Sequence, residues 1–297
     1  RTRGAVVLRR QDPRSADHRA AGHEGGVAIH DVEDIGFLFV HLDLAWTGAA
    51  LAYPFSSGSE KIEPGPLLQA GSTIEIPGQP LRILVGSDGS LQVYHEKYTR
   101  GATYGAAGSG FYIAVGQTAY GPYYTSFTPV RQEGPTGSGT SGSPFQVVTE
   151  EQISDSGTEL QIVQTISYVN GKNYFQLDWV ISNKGNGRTC FKAYHAADLY
   201  FADNDYGIGF YDSGSGAVGG FNEARDWFMA FIPSPRATHY EEALYSTIWE
   251  RVSTTADLQD TIDINYIDNG AALQWDTCLQ GGQSTTIGDR WSFGISE

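Results

Sequence analysis

A chain of 297 residues with 34 acidic side chains against 19 basic ones carries a formal charge of −15, which excludes an ordinary nucleic-acid binder, since phosphate backbones call for clustered Lys and Arg. Its 37 Gly, 17 Tyr, 14 Phe and 6 Trp accompany a single Met, and only 18% of residues are charged; that mix suits short strands joined by tight turns. No uninterrupted run of 18 apolar residues occurs, so no plain transmembrane segment is expected.

Residues 1–60 read as an N-terminal extension. The first 25 residues hold six Arg against Asp12, Asp17 and Glu24, a net of +3 that leaves −18 on the rest. Residues 36–59, "GFLFVHLDLAWTGAALAYPFSSGS", support two readings. One is a signal-like segment, with Ala50-Leu51-Ala52 ahead of Tyr53 as the small-residue pattern. The other is a strand, because Leu38, Val40, Leu42, Leu44 and Trp46 alternate with Phe37, Phe39, His41, Asp43 and Ala45. As a strand, residues 37–46 could be donated to the sheet edge of a neighbouring subunit and build a filament. Residues 61–71 read as a linker, and the domain proper spans 72–297.

From there the chain is a succession of strand signals. Ser87-Asp88-Gly89 joins two strands in "LRILVGSDGSLQVYHEKY". Asn170-Gly171 predicts a type I′ hairpin, whose returning strand alternates Phe175, Leu177, Trp179 and Ile181 with Tyr174, Gln176, Asp178 and Val180. Further strands are expected at 189–194, 206–212, 227–232, 245–252, 261–267, 271–275 and 284–294. Roughly a dozen strands in one unit predict an all-β fold, a large antiparallel β-sandwich.

Four stretches invite a chemical reading. "GTSGSP", residues 139–144, resembles the nucleophile turn of chymotrypsin-like proteases, with Ser141 as the serine, but no His-Asp pair stands upstream and the surroundings are a flexible turn. "HAADLYFADNDYGIGFYD", residues 195–212, sets Asp203 and Asp205 at a loop tip. They fit either a calcium site, which wants several oxygens on a tightly turned backbone, or an Asx-type turn that caps its own backbone. Asp198 and Asp212 belong to the flanking strands in this reading. "HYEEALYSTIWERV", residues 239–252, offers His239, Glu241 and Glu242 for acid-base work beside Tyr240 and Trp249 for sugar stacking; the alternative is an ordinary strand pair. Asp268-Asn269-Gly270 reads as a hairpin turn, and Trp275 and Asp276 after it complete the candidate ligand-binding residues.

Cys190 and Cys278, the only cysteines, read as one disulfide, with two buried thiols as the alternative.

Taken in order, "VGSDGSLQVYH", "FYIAVGQTAYGP", "SFTPVRQ", "GSGTSGSPFQVVT", "QTISYVNGKNYFQLDWVISN", "YHAADLYFADNDYGIGFYD", "HYEEALYSTIW" and "DNGAALQW" resemble a domain of secreted bacterial multidomain surface proteins. The resemblance covers residues 81–297 and implies location and class, with no activity assigned to the family. Length and strand count are also similar to the supersandwich of galactose-mutarotase-like proteins, an analogy of fold alone. Two functions follow. One is a non-catalytic secreted or cell-surface module, glycan-binding or structural, partnered by glycans or neighbouring subunits. The alternative is a carbohydrate-active hydrolase or lyase, with Glu241 or Glu242 as acid, Asp203 or Asp205 as base or nucleophile, and Asp198, His195 or His239 in support.

Overall fold

A computed structural model describes residues 72–105 and 108–294. The expectations for residues 1–60, including the signal-like segment and the donated strand 37–46, and for the linker 61–71 lie outside the described residues.

The described chain is nearly all β. Its strands are β1 (Thr73–Ile76), β2 (Leu81–Gly86), β3 (Ser90–His95), β4 (Ser109–Val115), β5 (Thr118–Tyr120), β6 (Thr128–Thr136), β7 (Phe145–Asp155), β8 (Thr158–Tyr168), β9 (Tyr174–Asn183), β10 (Thr189–Asp198), β11 (Tyr206–Asp212), β12 (Ala217–Phe221), β13 (Phe228–Ser234), β14 (His239–Leu244), β15 (Tyr266–Leu279) and β16 (Ser284–Gly294); the one helix among the described residues, α1, is Tyr245–Ser253. One sheet runs β1-β2-β3-β4-β10-β15-β14, with β5 beside β4. The other runs β11-β12-β13-β16-β9-β8-β7-β6, and every pairing is antiparallel. The two meet where Tyr206–Ile208 of β11 pairs with Tyr266–Asp268, the start of β15.

Alternation along the strands fills the space between the sheets. Phe175, Leu177, Trp179 and Ile181 are buried, as their period of two requires. They meet Phe111 of the opposite sheet, stacked on Trp179 at 4.5 Å, and Trp291 and Phe231. Each such side chain contributes about 1.5–3 kcal/mol by leaving water. On the outer side of the first sheet, Ile248 and Val252 of α1 cover Tyr112, Tyr194, Ala196 and Ala272.

Three local expectations are corrected. Residues 245–252 form α1, not a strand: Tyr245, Ile248, Trp249 and Val252 recur at i, i+3, i+4 and i+7, the helical period, and Ile248 and Val252 are the buried pair. Asp268-Asn269-Gly270 lies inside β15, so 261–267 and 271–275 are not two strands around a turn. Gly270 is there because a Cβ would meet Tyr245 and Ile248 of the packed helix. Among the non-glycine residues with positive φ, Asn170 is absent, while Gly171 has φ of 85°; type I′ needs two positive values. The turn is longer, and its backbone bonds outward, Asn170 N–H to Gly139 and Gly171 N–H to Gln79.

The predicted disulfide is present. Cys190 and Cys278 are direct partners in the β10–β15 ladder, with Cα atoms 4.0 Å apart. No helix of the described residues is long and apolar enough to cross a membrane.

Candidate functional site

The loop after β10 divides its two aspartates. Ala202 and Asp203 have φ of 52° and 67°, a left-handed step that turns the Asp203 carboxylate onto a neighbouring segment. It accepts the backbone N–H of Thr99 at 2.8 Å and of Arg100 at 2.5 Å. Burial pushes its carboxyl up, and the N–H groups of Arg100 and Thr99 outweigh that, leaving it below the ordinary value. The Asx turn expected here is made by Asn204, whose Oδ1 takes the Tyr206 N–H at 3.1 Å. Asp205 faces the other way, toward Asp198 at the end of β10 and Asp268 in β15, with a carboxylate oxygen of each within 4.8 Å of the others. Such an all-oxygen set suits a hard cation. The residues that could hold calcium are therefore Asp198, Asp205 and Asp268, and Asp203 is not among them.

β14 divides its two glutamates by strand alternation. Glu241 faces α1, where Arg251 reaches it through Nε at 3.1 Å, and it also accepts the Gln259 N–H. Glu242 faces β11, where a Cβ on Gly209 would fall on its carboxylate. It accepts the Asp263 N–H at 2.8 Å and the amide of Asn269. Burial pushes its carboxyl up to about 8, against the smaller opposing effect of those two donors.

The aromatic candidates are divided too. Tyr240 stacks on Tyr211 with centroids 3.7 Å apart and planes 3° from parallel, and the Arg236 guanidinium donates to the Tyr211 hydroxyl. Trp249 packs on the outer side, against Tyr112 and Tyr123. Trp275 is 3% exposed and donates its indole N–H to the Pro235 carbonyl, so it has no free face for a sugar.

His239 and Asp276 do come together. His239 Nδ1 lies 2.9 Å from Asp260 and Nε2 lies 3.9 Å from Asp276. Asp276 and Lys192 line a surface depression of about 320 Å³ whose wall includes the disulfide. Asp257, Asp260, Lys192 and Gln274, all missed in the sequence, complete this polar group; they come from the loop between α1 and β15, from β10 and from β15, and share no local pattern.

His195 is elsewhere, sealed between the sheets. Its Nδ1 meets Asp289 of β16 at 2.7 Å and its Nε2 meets Ser109 of β4 at 3.2 Å. All three are fully buried. The order of groups is that of a nucleophile relay, but all three residues are sealed from solvent, and the chain of contacts links the two sheets through the core. Ser141 is exposed in the β6–β7 turn.

No family model matches the chain, and no curated protein is similar to it in sequence. Solved structures share its architecture. A bacterial glucoamylase complexed with acarbose is similar at 11% identity and TM-score 0.54, over 73% of this chain and 31% of the glucoamylase, so the likeness spans about a third of that protein. Galactose mutarotase-like proteins from Lactobacillus casei (8% identity, TM-score 0.43, 76% of this chain and 100% of that one) and Clostridium acetobutylicum (7%, 0.45, 76% and 96%) are more distantly similar. The class is thus a large two-sheet antiparallel β-sandwich, the fold that the glucoamylase likeness also shows.

Proposed function

We propose that the chain is a non-catalytic, secreted or cell-surface β-sandwich module that binds glycans. One observation carries this: three of the acids put forward for a two-carboxylate mechanism are committed to structural tasks of their own, and Asp205 is grouped with Asp198 and Asp268. Asp203 caps Thr99 and Arg100, Glu241 is paired with Arg251, and Glu242 holds Asn269 and Asp263. Acid-base hydrolysis needs two carboxyls facing one bond, and strand alternation sets Glu241 and Glu242 on opposite faces. The paired disulfide supports an oxidising compartment. The solved glucoamylase is carbohydrate-related, which supports a glycan as the ligand. The Tyr211–Tyr240 stack with Arg236 beside it is the surface we assign to sugar stacking.

The test is a glycan array with the full chain, run beside a polysaccharide-degradation assay on the same glycans. Binding without release of shorter products is expected, weakened at least tenfold by Tyr240→Ala. Release of products that Glu242→Gln or Asp203→Asn abolishes would make the chain an enzyme and sink this reading.

A further inference from the structure

The group around His239 has the construction of a metal centre. Both oxygens of Asp260 are taken: Oδ1 accepts the Tyr240 N–H at 3.1 Å and Oδ2 lies 2.9 Å from His239 Nδ1. A carboxylate can only accept, so Nδ1 is the ring nitrogen held by Asp260, and Nε2 is the one left facing Asp276. This carboxylate–histidine arrangement is the one that orients metal-binding imidazoles.

The two acids that Nε2 faces are oriented by an equally fixed group. Gln274 is fully buried, and its Oε1 accepts the Leu258 N–H at 2.9 Å. Its Nε2 must therefore point the other way, and it donates to Oδ1 of Asp257 at 2.9 Å and Oδ1 of Asp276 at 2.8 Å. Asp276 Oδ2 is left toward His239 Nε2, at 3.9 Å. A ligand atom from each of His239, Asp257 and Asp276 lies within 4.8 Å of the others. Tetrahedral zinc with bonds of about 2.0–2.1 Å sets its ligand atoms about 3.3 Å apart, so shifts of about an ångström in exposed side chains complete the site.

We propose that His239, Asp257 and Asp276 bind a zinc ion, with Asp260 and Gln274 as the groups that hold the ligands in place. One imidazole with two carboxylates is a mixed nitrogen-oxygen set, which favours zinc over calcium or magnesium. Charge points the same way: Asp257, Asp260 and Asp276 bring three negative charges, and Lys192, 2.7 Å from Asp257, returns one, leaving two for a divalent cation to neutralise. Three protein ligands leave a fourth position, and Asp276 places it beside the depression of about 320 Å³. The inference is independent of the glycan reading, because its test uses the metal alone.

Zinc is titrated into the metal-stripped full chain by calorimetry and by competition with a chromophoric chelator. A single site in the micromolar range is expected, weakened at least tenfold by His239→Ala and by Asp276→Asn and unchanged by His95→Ala, which removes an imidazole from another part of the surface. These ligands are partly exposed, so the variants fold, and a far-ultraviolet spectrum confirms it. Asp260→Asn, which touches no metal, is expected to weaken zinc several-fold and to shift the His239 ring nitrogens in a nitrogen-15 spectrum. Zinc binding that His239→Ala leaves intact, or calcium bound here more tightly than zinc, overturns the assignment.

Discussion

Two regions present a pair of acids close together in sequence, and the fold separates both pairs by different means. In β14, Glu241 and Glu242 point to opposite faces because a strand alternates. In the β10–β11 loop, Asp203 and Asp205 part because positive φ at Ala202 and Asp203 swings the chain. The strand pair is buried on both sides, 2% and 1% exposed, yet one acid meets a guanidinium and the other meets only neutral donors. Equal burial with unequal partners gives unequal chemistry.

The largest expected effect comes from removing that inequality at Glu242. Its carboxyl is raised from about 4.5 to about 8, so the fold favours the protonated acid. That stability is fully present below the unfolded value and is lost as pH rises toward 8, a swing of about 4 kcal/mol. Glu242→Gln is neutral at every pH, but its amide sets a donor against Asp263 N–H or the Asn269 amide, at a cost of about 1 kcal/mol. The variant is therefore expected to be about 1 kcal/mol less stable than the parent at pH 4 and about 3 kcal/mol more stable at pH 8. Urea midpoints measured across that range check the crossover, and parallel curves would show that both forms of Glu242 are equally tolerated.

Next in size is the partner that Glu242 lacks. Arg251→Met keeps much of the apolar stem of the helix residue and leaves Glu241 buried without its cation, which is expected to cost about 3 kcal/mol at pH 7. The double variant Arg251→Met with Glu241→Gln is expected to regain most of it. A single variant as stable as the parent would mean that Gln259 N–H alone satisfies Glu241.

These partners explain what a reader of the sequence can and cannot see. The strands at 206–212 and 284–294 match their expected bounds, because period-two alternation is a local signal that the sheet then uses directly. Residues 245–252 also carried their signal, a helical spacing of Tyr245, Ile248, Trp249 and Val252, which the aromatic content disguised as β. Asn269-Gly270 carried the wrong one: the glycine admits a helix close to β15 instead of turning the chain. The site was legible as residue types, and His239 and Asp276 do meet. Their companions Asp257, Asp260 and Gln274 were not legible, because β14, β15 and the loop between them are aligned only by sheet register.

The smallest effect sharpens the loop half of the comparison. Asp203 gains its lowered carboxyl from backbone donors of another segment, a role independent of any ligand, whereas Asp205 sits among other acids. Asp203→Ala leaves the Thr99 and Arg100 N–H groups to water and is expected to cost about 1 kcal/mol at pH 7. Because the parent carboxyl is depressed, its stabilisation is present above the unfolded value and is lost as pH falls through the lower folded one. The gap between parent and variant should then close in acid, below about pH 4. Amide exchange at Thr99 and Arg100 is the direct reading: faster exchange at both positions is expected in Asp203→Ala and not in Asp205→Ala. Equal protection in the two variants would mean that the loop holds residues 99–100 by packing, and that the left-handed turn at Asp203 serves the chain path alone.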